Sequence, residues 1–234
     1  MKTSNDRWLL ERLDPELERH VDMIADEFRA GFAAVESFDC PAITVFGSAR
    51  TPEDDPVYAQ ARELGRLAVG AGFAVVTGGG PGVMEAANRG AQEAGGVSAG
   101  FNIELAHEQA LNPYVDVGLT FHHFYARKTM LVKAAEALVL FPGGFGTLDE
   151  LFESLVLIQT GKVEHFPVCL IGTAHWRPLL DWIHELEERD FISPEDLSLV
   201  TVTDEPAEAV AAVIDGYARK RAAGAPGTSR GDAS

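Results

Sequence analysis

Positive charge is what this sequence has least of. Lysine and arginine together number 19 against 36 aspartates and glutamates, a formal net charge of -17 over 234 residues. A chain that acidic does not track a nucleic-acid backbone or an anionic membrane surface unaided. Nucleic acid and membrane are therefore not expected as partners, and a phosphorylated ligand would have to be held locally, by backbone N–H groups and a few cations. Cysteine is scarce as well. Cys40 and Cys169 each sit beside a strand-like apolar run and read as buried reduced thiols rather than a disulfide or a metal site. No apolar run reaches the ~18 residues of a membrane span. The first segment, MKTSNDRWLLERLDPELERH, is too charged for a signal peptide, so a cytoplasmic protein is expected. Two nucleotide motifs are missing too. No G-x-G-x-x-G precedes a ribose-binding acid, and no Gly-Lys-Ser/Thr closes a Walker A loop, which disfavours a dinucleotide dehydrogenase and a P-loop ATPase. Nothing has metal-ligand spacing, and no Ser/His/Asp or Cys/His constellation can be argued.

What is present is a repeated alternation. Residues 1–38 are polar and acidic, with Leu17, Val21, Ile24, Phe28 and Phe32 at helical spacing. They predict an amphipathic N-terminal helix packed on the main domain or on a partner subunit. From Pro41 onward, apolar runs over 42–47, 73–80, 97–103, 115–121, 137–143, 167–172 and 197–204 predict strands. Between and after them, 57–72, 82–95, 124–136, 147–161, 176–190 and 206–223 predict helices. Apolar strands that do not alternate, each followed by a helix, indicate a doubly wound parallel α/β sheet covered by helices on both faces. The expected organisation is an N-terminal helical extension over 1–38, a single domain over 39–222, and a disordered tail over 223–234, where the sequence turns small and polar.

Three strand ends carry glycine: FGSAR (46–50), TGGGPG (77–82) and FPGGFGT (141–147). In a doubly wound sheet the carboxyl ends of the strands are where ligands bind. Glycine allows the backbone to approach a ligand closely, and the helix that follows offers unpaired N–H groups and the positive end of its dipole. Such a loop either turns the chain tightly or holds an anion, most often phosphate. Two carboxylates lie beside these loops. Thr147 and Glu150 have the T-x-x-E spacing of a capping box, and Glu85 falls in the first turn after GGGPG. Each is either a cap or a group placed beside a bound anion to face a ribose hydroxyl, an attacking water or a developing oxocarbenium ion. At a helix start Glu150 is expected to stay ionised.

The segment FHHFYARKTML (121–131) brings two cations into an acidic chain, Arg127 and Lys128. They fit a solvated helix face, or, for Arg127 above all, phosphate and ribose oxygens that suit its planar fork. His122 and His123 fit packed or surface positions better than acid–base roles. Tyr125, Met130 and Phe145 fit the core or the lining of a base pocket.

Taken together these segments resemble the Lonely Guy family, cytokinin riboside 5′-monophosphate phosphoribohydrolases that were often described as lysine decarboxylases. PGGFGTLDE (142–150) matches the family signature PGGxGTxxE. GGGPGVMEAANRGA, FGSAR and ARKTML occur in the family's order and at similar spacing, and the likeness covers about residues 40–215. The N-terminal helix and the TGKVEHFPVCLIG stretch look like the longer members. The resemblance implies a Rossmann-like fold and hydrolysis of the N-glycosidic bond of an adenine-type nucleoside 5′-monophosphate, with no metal or organic cofactor, in a homodimer or larger homo-oligomer. By resemblance, Arg127 and Glu150 are the catalytic pair. Gly143, Gly144, Gly146 and Thr147 supply the phosphate-binding backbone, Glu85 lies near the ribose, and Gly47, Ser48, Gly79, Gly80 and Lys128 complete the substrate-binding set. The alternatives are a nucleotide or molybdenum-cofactor carrier on the same fold, and a pyridoxal-phosphate lysine decarboxylase. The decarboxylase would need a Schiff-base lysine, whereas Lys128, Lys133 and Lys162 all read as helix-surface residues.

Overall fold

Valine, isoleucine and alanine fill the predicted strands, and in the computed structural model, which describes residues 15–105 and 110–224, those segments are strands that all run the same way. They are β1 (Ala42–Phe46), β2 (Ala74–Thr77), β3 (Ser98–Ile103), β4 (Val117–Phe121), β5 (Ala135–Leu140), β6 (Val168–Ile171) and β7 (Val200–Thr203). The helices are α1 (Leu17–Glu36), α2 (Pro56–Gly70), α3 (Val83–Glu93), α4 (Phe124–Lys133), α5 (Phe145–Gln159), α6 (Thr173–Glu188) and α7 (Pro206–Gly224). A 3-10 helix over Pro194–Leu199, closed by a capping box between Ser193 and Asp196, occupies the start of what the sequence suggests is the last strand. Residues 1–14 of the N-terminal extension and 225–234 of the tail lie outside the described residues.

The seven strands form one sheet in the order β4-β3-β2-β1-β5-β6-β7, with every pair parallel. The inner strands β1, β2 and β5 are buried along almost their whole length, whereas the edge strands β4 and β7 alternate between covered and exposed residues. That contrast follows from position: an inner parallel strand has helices on both faces, an edge strand does not. One face of the sheet packs Ile43, Val45, Val75 and Val139 against Tyr58 and Leu64 of α2, Val83 of α3 and Val213 of α7. The other packs Phe101, Phe121, Leu138 and Leu140 against Met130 of α4, Leu151 of α5 and Trp176 of α6. The N-terminal helix α1 joins this second face, where Gly31 sits so close to Met130 that a Cβ would collide with its side chain.

The strand order reverses between β1 and β5. Helices leaving these two neighbours go to opposite faces, which opens a crevice at their carboxyl ends. Phe46 and Leu140, the last residues of the two strands, pair directly. The pairing continues past the strands, as Phe141 N–H donates to Phe46 O at 2.9 Å and Ser48 N–H to Pro142 O at 3.0 Å. The FGSAR and FPGGFGT loops therefore leave the sheet side by side.

Candidate active site

A cleft of about 600 Å³ opens at that crevice. The β1 loop contributes Gly47, Ser48 and Arg50; α5 and its approach contribute Gly144 to Thr147, Asp149 and Glu150; α4 contributes Phe124 and Arg127. Sequence segments far apart in the chain, 46–50, 124–127 and 144–150, thus meet around one space.

The start of α5 separates two roles that spacing could not. The helix begins at Phe145, with Gly144 as its N-cap and no side-chain cap. Thr147 is therefore already inside the first turn and Glu150 lies in the second. The capping box that T-x-x-E suggests does not form. Its absence also shows in hydrogen bonds, since Thr147 N–H donates to Gly144 O at 3.0 Å rather than to a side chain. Glu150 is free of any capping duty and points inward, 5 % exposed, with its Oε2 making no hydrogen bond.

A buried carboxylate without a donor is held there against its own solvation. Burial raises the Glu150 pKa to about 7; the charges of Lys128 and Arg127 oppose that rise, and those of Glu153 and Asp149 add to it. The expectation that the helix dipole keeps Glu150 firmly ionised is thus corrected. The residue sits one turn too deep for the dipole to dominate, and desolvation wins.

Arg127 projects from α4 into the same cleft. Its Nε donates to Phe101 O at 2.7 Å, which fixes the side chain and leaves the Nη groups for a ligand. Burial lowers its pKa, and the Glu150 charge partly restores it. The guanidinium lies over Gly78, where a Cβ would collide with Nη2. Sequence reasoning passed over Gly78. The signal was the first of three consecutive glycines, whose distinguishing need only the fold reveals. Arg50 is a second omission, a cation within the GSAR loop that lines the cleft.

The glycines divide by what surrounds them. Gly47 has the Val83 side chain where its Cβ would stand, and Gly143 has the Thr147 hydroxyl there. Both are required by packing. A Cβ on Gly144 or Gly146 would meet nothing within 4 Å, and neither has a positive φ. The fold itself makes no demand for glycine at these two positions, although both line the cleft.

Other predicted residues sit apart from the cleft lining. Gly79 and Gly80 are tied to a neighbouring segment: Asn112 N–H donates to Gly79 O at 2.8 Å and Asn112 Nδ2 to Gly80 O at 3.1 Å. The Glu85 carboxylate accepts a 3.0 Å hydrogen bond from Tyr58 Oη of α2. Lys128 is not a surface lysine. It is mostly buried between α4 and α5, 2.9 Å from Asp149 and 2.7 Å from Glu153. Burial acts to lower its pKa, but these two carboxylates and Glu150 outweigh it and leave Lys128 more basic than usual. Lys162 follows the end of α5 in a turn, and Lys133 lies 5.0 Å over the Phe32 ring of α1. Of the three residues proposed for the core or a base pocket, Met130 is core and Tyr125 stacks on His123, whereas Phe145 stands 92 % exposed at the cleft's rim.

Known proteins resemble this chain in sequence and fold. The family model described as "Possible lysine decarboxylase" matches residues 84–213, more than half of the chain. A cytokinin riboside 5′-monophosphate phosphoribohydrolase of Rhodococcoides fascians is 31% identical over 74% of this chain and 96% of its own. One of Mycobacterium tuberculosis is 26% identical over 70% and 89%. Among solved structures, the molybdenum cofactor carrier protein of Chlamydomonas reinhardtii superposes with a TM-score of 0.58 at 28% identity, covering 76% of this chain and 99% of that one. The matched segment includes the cleft residues from Met84 to Glu150, and the chain belongs to the Lonely Guy family, the group that the older lysine-decarboxylase description also covers.

Proposed function

We propose that the cleft hydrolyses the N-glycosidic bond of a purine nucleoside 5′-monophosphate, with N6-prenylated adenosine monophosphate or plain AMP as substrate, giving free base and ribose 5-phosphate. The observation that carries this is Glu150, a buried carboxylate with an unpartnered oxygen beside a glycine-lined helix start. The first N–H groups of α5 lack helical partners and suit a phosphate. From Gly146 to Glu150 the helix rises about 6 Å, a separation comparable to that between the 5′-phosphate and C1′ of a pentose. A phosphate on the first turn therefore brings the anomeric carbon to the carboxylate.

The chemistry follows from that placement. As the C1′–N bond breaks, its electron pair goes to the base nitrogen, which takes up a proton, and positive charge builds on the sugar. Ionised Glu150 stabilises that charge at short range in a poorly solvated site. With a pKa of about 7 it is also matched to neutral pH as a base. It accepts a proton from the water whose oxygen bonds to C1′. Arg127, held by Phe101 O, turns its Nη groups toward the ribosyl phosphate. Phe145, at the rim, offers an aromatic face to the base.

A carrier function has the solved carrier structure in its favour. Yet a carrier gains nothing from burying a carboxylate with an oxygen that no donor reaches, whereas a hydrolase uses it. A pyridoxal-phosphate decarboxylase is not supported, since Lys128 is bound up by Asp149 and Glu153 and the other two lysines lie away from the cleft lining. Glu150→Gln keeps the shape and removes the charge. Calorimetry should show AMP binding retained and chromatography should show no adenine released. Release at near wild-type rate would refute the assignment of Glu150.

A further inference from the structure

The N-terminal helix reaches the site through a single carboxylate. Glu27 of α1 is mostly buried, with its side chain 11% exposed. It accepts from His122 N–H at 2.6 Å and from His123 N–H at 3.3 Å. The Nδ1 atoms of the two histidine rings lie 2.9 and 3.0 Å from the same carboxylate. These donors cluster at the start of α4, whose N-cap is His123. The helix has no side-chain cap of its own and no acidic residue in its first turn. The positive end of the helix dipole is therefore not offset by any charge from its own first turn. Glu27 supplies both the acceptor and the charge, from a different helix.

The same turn carries Arg127. Its N–H donates to His123 O at 3.2 Å, so the residue that Glu27 grips is the one on which the Arg127 backbone rests. Four residues on from Glu27, on the same face of α1, Gly31 lets the helix settle against Met130 of α4. Lys133 over the Phe32 ring adds a third contact. The two helices are thereby fixed at close range at the start and the end of α4.

We infer that Glu27 is a positioning residue for Arg127, which makes the N-terminal helix part of the active-site apparatus rather than an appendage. The inference rests on Arg127 acting on the substrate, as proposed above. Without Glu27 the N-cap of α4 and the residue before it lose their shared acceptor, and the guanidinium loses its fixed place between Phe101 O and Gly78. Small displacements of a substrate-positioning group cost up to about 100-fold in rate.

The test pairs a substrate-free readout with kinetics, on the full chain, well below the thermal midpoint of each variant. In ¹⁵N spectra the Arg127 Nε–H, held by Phe101 O, should exchange slowly in the wild type and at least about tenfold faster in Glu27→Ala. The kcat/KM for AMP should fall ~10- to 100-fold, chiefly through KM. Glu27→Gln, which keeps an acceptor oxygen, should recover part of both. On an Arg127→Ala background, adding Glu27→Ala should lose nothing more. Wild-type Nε–H exchange in Glu27→Ala, or losses that multiply in the double variant, would overturn the inference. If the wild type itself releases no base from AMP or from isopentenyladenosine 5′-monophosphate, the hydrolase reading fails, and the Nε–H exchange still decides the role of Glu27.

Discussion

Burying Glu150 should leave a measurable signature in folding stability, independent of any substrate. Its carboxyl titrates near pH 7 in the folded chain against 4.5 for an ordinary glutamate, with burial as the leading cause. The folded state therefore holds a proton that the unfolded state has released. Stability from the neutral form is fully present below pH 4.5 and is lost as the pH rises through about 7. At 1.36 kcal/mol for each tenfold change in proton affinity, the whole displacement is worth on the order of 3 kcal/mol. Because the side chain is only 5 % exposed, little of this is screened by solvent. Glu150→Gln removes the titration and keeps the shape. Urea unfolding, followed through the buried Trp176, would be run on both proteins from pH 5.5 to 8.5, above the isoelectric point near 4.7. About 2 kcal/mol of the change falls in that window, so the variant should gain that much on the wild type as the pH rises. Other carboxylates cancel in the difference. A gap that stays constant with pH, or narrows toward pH 8.5, would refute the reasoning that burial dominates at Glu150.

Activity should follow the same group in the opposite sense. If ionised Glu150 is the working form, kcat/KM for AMP should rise about tenfold per pH unit below 7 and level off above it, a limb that Glu150→Gln lacks. The glycines should separate in paired stability and kinetic assays. Gly143→Ala, which drives a methyl into the Thr147 hydroxyl, should destabilise by about 1–3 kcal/mol. Gly144→Ala and Gly146→Ala, facing open space, should fold as well as the wild type, yet raise KM if a phosphate seats on their backbone. Phe145→Ala, at a position already 92 % exposed, should hardly change stability but should weaken discrimination among bases in a panel of nucleoside monophosphates.

The fold was legible because its signals are local. Each of the seven strands falls within or close to its predicted run, since each is a short, largely apolar or β-branched segment set off from the helix that follows it. The misplaced boundary that mattered was that of α5. Thr147 and Glu150 have ideal capping spacing, and nothing in sequence says that the backbone turns helical two residues earlier, at Phe145. The loop that leads into α5 is held by a long-range partner, since Pro142 O is taken by Ser48 N–H, 94 residues away in the chain. Long-range partners also explain the residues that were misjudged. Lys128 looks like a surface cation until Asp149 and Glu153 come to face it. His122 and His123 are at the surface and packed, as expected, but their common partner, Glu27 of α1, could not be read from the sequence. Gly78 is ordinary until Arg127 lies across it. Segments of a chain announce their own conformation, but burial and electrostatics belong to pairs.

The central claim is that this cleft breaks a glycosidic bond. It is tested most directly by incubating the protein with AMP and, separately, isopentenyladenosine 5′-monophosphate, and separating the products by chromatography. The account predicts free base and ribose 5-phosphate in equal amounts, released catalytically and lost in Glu150→Gln. Nucleotide recovered intact after saturable binding would contradict it and make the cleft a carrier's.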